Sequence, residues 1–455
     1  MLGAKLTAAK AVGALARGSG RGGGTSLPGK VLTRLDPHAI GALGRRLPRG
    51  SAVISATNGK TTTAALAAAV LERSGVTLVH NRAGANMAGG VATALLGATT
   101  RGGGLDGELG LFEVDEFWLG AVAAELEPHT LLLANLFRDQ LDRYGELETI
   151  ADRWATIVDE RRDRCHLILN ADDPLIADLG RDRPAVTYFG VQDDSLALPQ
   201  LQHAADSKLC RRCGEPYLYA AIYLGHLGRY RCPACGAERP RPDVVAERVT
   251  LHGLRGATVA LRTPVGGIEL ELPLPGLYNV YNALAAVALC LRLGVGLREV
   301  ADGLRVASAA FGRAETVSID GHPLSILLIK NPAGANEVLR TLTLEGGEHD
   351  LICALNDRTA DGRDVSWIWD ADFELLAGRV RRAVCTGTRA ADVALRLKYA
   401  GVPVARIELV PGVEPALDAA VAGAAGPLYA LPTYTAMLEL RELLARRGAA
   451  PRYWQ

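Results

Sequence analysis

Continuous apolar runs punctuate the first part of the chain: SAVISAT (51–57), GLFEV (110–114), TLLLANL (130–136) and HLILNAD (166–172). Ala- and Leu-rich stretches long enough for helices lie between them, and this alternation predicts a parallel sheet of the doubly wound α/β kind. Ligands of such a sheet bind in the loops that follow its strands. Between Ala246 and Pro275 the period shortens to two in VTLHGL, ATVALRT and IELELPL, which predicts a small antiparallel sheet. A helix over YNVYNALAAVALCLRLG follows it. Near Ala314 the α/β alternation restarts with SILLIKN, DLICALND, RAVCTG and LYALPTY as strands, separated by helices such as AADVALRLKYAG. The pattern divides the chain into an N-terminal helix and linker region (1–48), a central domain (49–315) and a C-terminal α/β domain (316–455).

Composition narrows the function classes. Lys and Arg together number 50, as do Asp and Glu, so no net field draws the molecule toward nucleic acid or an anionic membrane. No apolar run approaches the roughly 20 residues that span a bilayer. The first residues, Met1–Gly24, have short apolar stretches interrupted by Lys5, Lys10 and Arg17 and do not read as a signal peptide, which makes a cytoplasmic protein the expectation. Two readings of this segment stand: a solvated helix before a Gly-rich linker, or a basic amphipathic helix resting on the inner face of the plasma membrane.

The stretch VISATNGKTTT (53–63) has the parts of a phosphate loop. A strand leads into a turn, then Gly59-Lys60-Thr61 opens a helix whose first N–H groups face an anion, with Lys60 supplying charge and a hydroxyl for Mg²⁺. Ile54 and Ala56 stand where familiar versions have glycine, and the usual spacing is not met. The strand GLFEV leads into Glu113-Val-Asp115-Glu116, which puts carboxylates at the edge of the sheet where a nucleotide-bound metal would sit.

Four of the eight cysteines form two pairs, Cys210-x₂-Cys213 and, after eighteen residues, Cys232-x₂-Cys235. That spacing fits a tetrahedral zinc in a reducing compartment better than a disulfide framework, and four thiolates leave no open position, so the metal is structural. Lys208, Arg211, Arg212, Arg229 and Arg231, with Tyr217, Tyr219 and Tyr230, raise a nucleic-acid reading of the same module; the balanced overall charge favours a solvated face. Cys290 and Cys353 lie in apolar contexts and read as core.

Further motifs follow ATNGKTT in order: NLFRDQLDRYGE (135–146), LNADDP (169–174), PGLYNVYNALAA (275–286) and FGRAE (311–315). With them the chain resembles the Mur ligases of peptidoglycan synthesis. NRAGANMAGG (81–90), the four-cysteine insertion, KNPAGANEVL (330–339) and LNDRTADGRDVSWIWDADFE (355–374) make it closer to MurT-type subunits of lipid II isoglutaminyl synthase, from about Leu27 to the C-terminus. The resemblance implies a Mur-ligase central P-loop ATPase domain with a Cys₄ zinc ribbon inserted at about 206–240, followed by a Rossmann-like α/β C-terminal domain. It implies that Lys60 holds the ATP phosphates within a loop of Thr57, Asn58, Gly59, Thr61 and Thr62. Thr61 and Glu113 would hold Mg²⁺, Asn282 would meet the adenine side and Arg313 the nucleotide.

Three departures qualify the likeness. Only about fifty residues precede the phosphate loop, too few for a UDP-binding domain. Gln140 occupies a place where many relatives have a metal-binding His. No lysine lies between Lys60 and Lys208, which leaves no candidate for a carbamylated lysine at a second metal. The implied reaction is ATP-dependent amidation of the α-carboxyl of D-glutamate in the lipid II stem peptide through an acyl phosphate. No cysteine sits in a Gly-x-Cys-x-Gly turn, so the ammonia is expected from a partner glutaminase, in this family a GatD-type glutamine amidotransferase subunit. Asp364 is the position that would complete a Cys-His pair on that partner. On the residues alone, Asp361, Asp364 and Asp370 read rather as turn and cap residues around a buried Trp, and it is the resemblance that reverses this preference. Lys330, at a strand end, reads as a ligand for substrate carboxylate or phosphate, or as a strand cap. A stand-alone Mur-type amino acid ligase is the alternative function.

Overall fold

The structure, a computed structural model, describes residues 2–18, 26–81, 85–100, 104–139, 147–203, 205–306 and 313–450. Gln140 and most of its motif lie outside the described residues.

Strands β1 (Ser51–Ser55), β2 (Leu78–His80), β3 (Leu109–Glu113), β4 (Thr130–Leu133), β5 (His166–Asn170) and β6 (Val186–Val191) lie parallel in the order β6-β5-β4-β1-β3-β2. A separate ribbon of β7 (Leu218–Leu224) and β8 (Leu227–Arg231) follows. Strand β9 (Val244–Leu251) then pairs parallel with β6, and β10 (Ala257–Thr263) and β11 (Gly266–Leu272) continue antiparallel, completing a nine-stranded sheet. The antiparallel strands read from the two-residue period are thus present, but as an extension of the main sheet rather than a sheet of their own. The period reports which faces are wet; it does not say what pairs with the edge.

All five residues of β1 are buried, because both faces are covered. Ala52 and Ile54 face a cluster built with the Lys60–Arg73 and Leu277–Arg292 helices. Val53 faces the other side, where Phe112, Leu131 and Leu133 meet the N-terminal helices. The Leu277–Arg292 helix is apolar nearly all round, as a helix sunk into a core should be.

The Leu2–Gly18 helix packs one face against the protein and leaves the other exposed. Leu6 and Ala9 are buried in the second cluster, Lys5 Nζ pairs with Asp36 at 3.1 Å, and Lys10 Nζ donates to the Thr99 carbonyl at 2.6 Å. Beneath it the Leu27–Leu35 helix crosses the Ala88–Gly97 helix at Gly29 and Gly89. A Cβ on Gly29 would sit 1.9 Å from the Gly89 carbonyl oxygen, and the Gly29 N–H donates to Thr93 Oγ1 at 2.9 Å. This crossing gives one of the glycines of NRAGANMAGG its physical reason.

The second sheet is six-stranded: β12 (Arg313–Ile319), β13 (His322–Leu327), β14 (His349–Ala354), β15 (Val380–Thr386), β16 (Ile407–Leu409) and β17 (Leu428–Pro432), in the order β12-β13-β17-β14-β15-β16. It is parallel from β13 to β16, with β12 added as an antiparallel hairpin. The four expected strands form its centre. The edge strands β12 and β16 were not expected, since neither carries a continuous apolar run.

Replacing Gly29 with Ala should push the two helices apart and cost about 1–3 kcal/mol, the usual penalty of overpacking. Denaturant unfolding should show a lowered midpoint with an unchanged slope; an unchanged midpoint would refute the close crossing.

Candidate active site

Strand β1 lies where strand order reverses: the chain goes from it to β2 and β3 on one side, then returns to lay β4 on the other. A cavity of about 330 Å³ opens beyond the carboxyl ends of these strands. Its walls include Thr57, Asn58, Gly59, Lys60, Thr61, Thr62 and Asn282, so the predicted loop and its distant asparagine do converge. Gly59 has φ +85°, and a Cβ there would meet Asn282 Oδ1 at 2.0 Å, which makes glycine obligatory. The N-cap of the Lys60–Arg73 helix is this Gly59, which has no side chain to cap the first turn, and Lys60, Thr61 and Thr62 of that turn line the cavity.

Thr57 and Asn58 act as struts. The Asn58 N–H donates to Asn135 Oδ1, and Asn135 Nδ2 donates back to the Asn58 carbonyl, both at 2.9 Å. Thr57 Oγ1 accepts from the Phe137 N–H at 3.1 Å. On the helix, Thr63 Oγ1 donates to Asn282 Oδ1 at 3.3 Å, and Asn282 Nδ2 donates to Asn279 Oδ1 at 3.1 Å. The asparagine is therefore fixed from both sides.

Lys60 is buried, and its ammonium donates to the Ala56 carbonyl and, at 2.7 Å, to Glu116 Oε2. Burial on its own disfavours charge on both partners. The attraction of Glu116 outweighs it at Lys60, raising the ammonium above its ordinary value, and Lys60 with Lys330 outweighs it at Glu116, lowering the carboxyl. Asp115 and Glu116 line the cavity. Glu113 is buried at the end of β3, where its backbone N–H and carbonyl are held by the Asn81 side chain at 3.0 and 2.8 Å. Arg313 opens β12, with Leu327 as its register partner.

The second sheet contributes the facing wall. Lys330 pairs with Asp139 and donates to the Thr57 carbonyl at 3.4 Å, while Asn331 Nδ2 donates to Asn58 Oδ1 at 2.9 Å. Lys330 is thus no simple strand cap. Asn331 also caps the Pro332–Thr343 helix, which brings Ala333, Gly334, Glu337 and Val338 to the cavity. Asp139, Phe137, Tyr278, Tyr281, Glu337 and the ribbon residues Leu224 and Leu227 complete the wall and were not anticipated.

The four ribbon sulfurs lie within 4.8 Å of one another, with Cys210–Cys235 at 3.6 Å and Cys213–Cys232 at 3.4 Å. Sulfurs around a tetrahedral metal with bonds of about 2.3 Å stand ~3.8 Å apart, so the donor set fits such a centre. Its basic rim is neutralised by neighbours: Arg211 by Asp152, Arg212 by Asp178 and Arg229 by Asp194. That is poor ground for a nucleic-acid face. The other four cysteines, Cys165, Cys290, Cys353 and Cys385, are all buried.

Comparison with known proteins decides the family. The Mur ligase middle domain family matches residues 54–219 and the MurT ligase C-terminal family matches 328–437. The lipid II isoglutaminyl synthase (glutamine-hydrolyzing) subunit MurT of Streptococcus pneumoniae is 34% identical over 94% of this chain and 93% of its own length. That of Staphylococcus aureus is 32% identical over 93% of each. The chain belongs to the MurT family. Solved structures below 25% identity share the fold. A pseudomurein peptide ligase type C from Methanothermus fervidus has a TM-score of 0.66 and 22% identity, covering 87% of this chain and 78% of that one. A MurF ligase from Thermotoga maritima in complex with ADP has 0.60 and 14%, covering 91% and 85%.

Within the MurT C-terminal region the three candidate aspartates separate. Asp361 is buried and caps the Tyr434–Arg446 helix, accepting from Thr435 N at 2.7 Å and Thr435 Oγ1 at 2.5 Å. Asp370 pairs with Arg138 at 3.3 Å. Asp364 is exposed and accepts from the Ser366 N–H at 2.8 Å; the Ser366 backbone and side-chain bonds hold its carboxyl below the ordinary value. The buried apolar anchors of this MurT loop are Val365 and Ile368; Trp367 is half-buried against the same core and Trp369 is exposed, so the expected Trp is covered only in part.

Because the Glu116 carboxyl is lowered by folding, its stabilisation is complete above the unfolded carboxylate range and is lost as pH falls through the lower folded value. Glu116→Gln should therefore flatten the acid limb of the melting temperature against pH, below about pH 4.5. A variant whose acid limb matches the parent would overturn this role of the pair.

Proposed function

We propose that this MurT-family chain is the ATP-dependent synthetase subunit of a glutamine-dependent lipid II isoglutaminyl synthase. It amidates the α-carboxyl of D-glutamate in the stem peptide to D-isoglutamine. The observation that carries this reading is the convergence of Lys60, Asn282 and the Gly59–Thr62 turn with Lys330 on one cavity, in a chain similar along nearly its whole length to proteins named for that activity.

The γ-phosphoryl group of ATP passes to the carboxylate, giving an acyl phosphate and ADP. Ammonia then attacks the acyl carbon, the C–O bond to phosphate breaks, and the proton lost from nitrogen leaves with the phosphate. Lys60 and the N–H groups of the Gly59–Thr62 turn neutralise and orient the phosphates, the largest service a protein offers to phosphoryl transfer. Lys330 brings a second cation from the opposite sheet to the same cavity, where it can meet substrate carboxylate or phosphate. Thr61 in the cavity wall and Glu113, buried at the end of β3, would hold Mg²⁺, which would supply further charge neutralisation. Asn282 and Arg313 are assigned to the nucleotide.

With its own leftover thiols buried, the chain takes ammonia from a partner glutaminase of the GatD type, and exposed Asp364 is the residue offered to that partner's Cys-His pair. Among the described residues no helix is long and apolar enough to cross a membrane. The working place is the cytoplasmic face, where the lipid-linked substrate presents its peptide. Zinc is the metal assigned to Cys210, Cys213, Cys232 and Cys235, and the domains divide at about residues 48 and 315.

Amidation of lipid II by the purified protein, with glutamine plus partner or with concentrated ammonium, tests the reading. Lys60→Ala should reduce both activities by about 10³-fold. Asp364→Asn should lose the glutamine-driven activity by about 10²-fold or more while retaining the ammonium-driven one. Turnover stimulated by an amino acid and indifferent to ammonia would overturn the proposal, and equal loss of both activities in Asp364→Asn would refute the shared triad. Metal analysis should find about one zinc per chain, absent when Cys213 and Cys235 are replaced by Ser.

A further inference from the structure

The ribbon has its cysteines at one end and its turn at the other, since Cys210 and Cys213 precede β7 while Cys232 and Cys235 follow β8. The turn does not project into solvent. Leu224 and Leu227 form part of the cavity wall, and between them Gly225 takes φ +56° and His226 is completely buried. The His226 ring packs tilted against Phe137, another wall residue, at 4.6 Å between centroids, and its Nε2 lies 3.4 Å from Asp173 Oδ2.

Three further bonds fix the turn. The Gly225 N–H donates to Gln202 Oε1 at 2.8 Å, and the Gly228 N–H to the Asp172 carbonyl at 2.9 Å. The Tyr223 carbonyl accepts from Arg340 at 2.9 Å, and the same guanidinium group pairs with wall residue Glu337 at 2.8 Å. The cavity lining therefore combines the polar Gly59–Thr62 turn with apolar side chains, among them Leu224, Leu227, Tyr278, Ala333 and Val338. An apolar wall of this kind suits the face of a purine base.

The cysteine end has almost no core of its own. Among the described residues its apolar cluster holds Cys210, Cys232 and Ala237 with Tyr217 against them, joined by Tyr230 at 5.0 Å from the Tyr217 ring, so two of the cluster's three buried members are candidate metal ligands. Without metal, this end lacks the burial that orders a small module. We propose that the Leu224–Leu227 turn is the nucleoside wall of the nucleotide site, and that metal loading at the four cysteines sets nucleotide affinity through the β7–β8 hairpin. This inference rests on the ATP-binding reading above. Coupling between two sites is reciprocal, so nucleotide must also tighten the hold on the metal.

The test uses the full-length, zinc-loaded chain and ADP with Mg²⁺ as the probe. ADP affinity is measured by calorimetry, and zinc transfer to a colorimetric chelator is followed with and without saturating ADP. Saturating ADP should weaken zinc capture by about tenfold, within the usual range of coupling. The Leu224→Ala, Leu227→Ala double variant should bind ADP about tenfold more weakly. Zinc capture indifferent to ADP, in a parent protein that binds ADP, overturns the coupling and needs no variant to fold. Unchanged ADP affinity in the double variant overturns the wall. If the parent does not bind ADP while Lys60→Ala behaves identically, the nucleotide reading fails and the inference falls with it.

Discussion

A carboxylate wholly removed from water holds the central part of this molecule in register. Asp172 accepts from the Val191 N–H at 2.8 Å, from the Tyr281 hydroxyl at 2.6 Å and from Arg239 Nε at 2.5 Å. The three donors belong to β6, to the helix behind the phosphate loop and to the segment returning from the ribbon. A buried charge is tolerable only when paired and fully hydrogen-bonded, so these elements have one arrangement that avoids a desolvation cost of several kcal/mol. Its neighbour Asp173 does the same for another corner, accepting from the N–H groups of Leu136, Leu175 and Ile176. The short motif LNADDP is thus a junction, and Tyr281, one of its donors, also lines the cavity.

Seen from that junction, the phosphate loop is rigid for reasons outside itself. Asn135 clamps Asn58, Phe137 clamps Thr57, and Asn282 leaves room only for glycine at position 59. Ala56 is accommodated because its side chain is buried in ordinary packing while its carbonyl serves Lys60. The loop tolerates the missing glycine since the close approach it must allow falls at Gly59 instead.

Much of this was legible in the order of residues. Strands buried on both faces betray themselves as unbroken apolar runs, which is why β1, β3, β4 and β5 could be placed from the sequence. The cysteine spacing was equally direct, because ligand geometry constrains neighbours along the chain. What could not be read were meetings set by topology alone. Lys330 and Asp139 are separated by 191 positions, and no local period records that they share a cavity. The destination of the ribbon turn was hidden for the same reason: Leu224 and Leu227 look like any hairpin residues until the hairpin is docked. Edge strands β12 and β16 escaped because a half-covered strand has no continuous apolar signature. The three aspartates of the ADGRDVSWIWD loop were indistinguishable in sequence, and only burial separates a helix cap, an ion-pair partner and an exposed carboxylate.

The distribution of sulfur has a practical side. Of eight cysteines, six are buried, and the two exposed ones, Cys213 and Cys235, are both in the ribbon cluster. Burial also pushes the Cys165 thiol up to about 12, removing it further from reaction. A maleimide added to the native protein therefore meets thiols in one place only, and a bound metal masks them. The labels taken up per molecule, at least two for each metal-free ribbon, would rise with the fraction of ribbons left empty, so the chain would carry a gauge of metal occupancy that needs no engineered site.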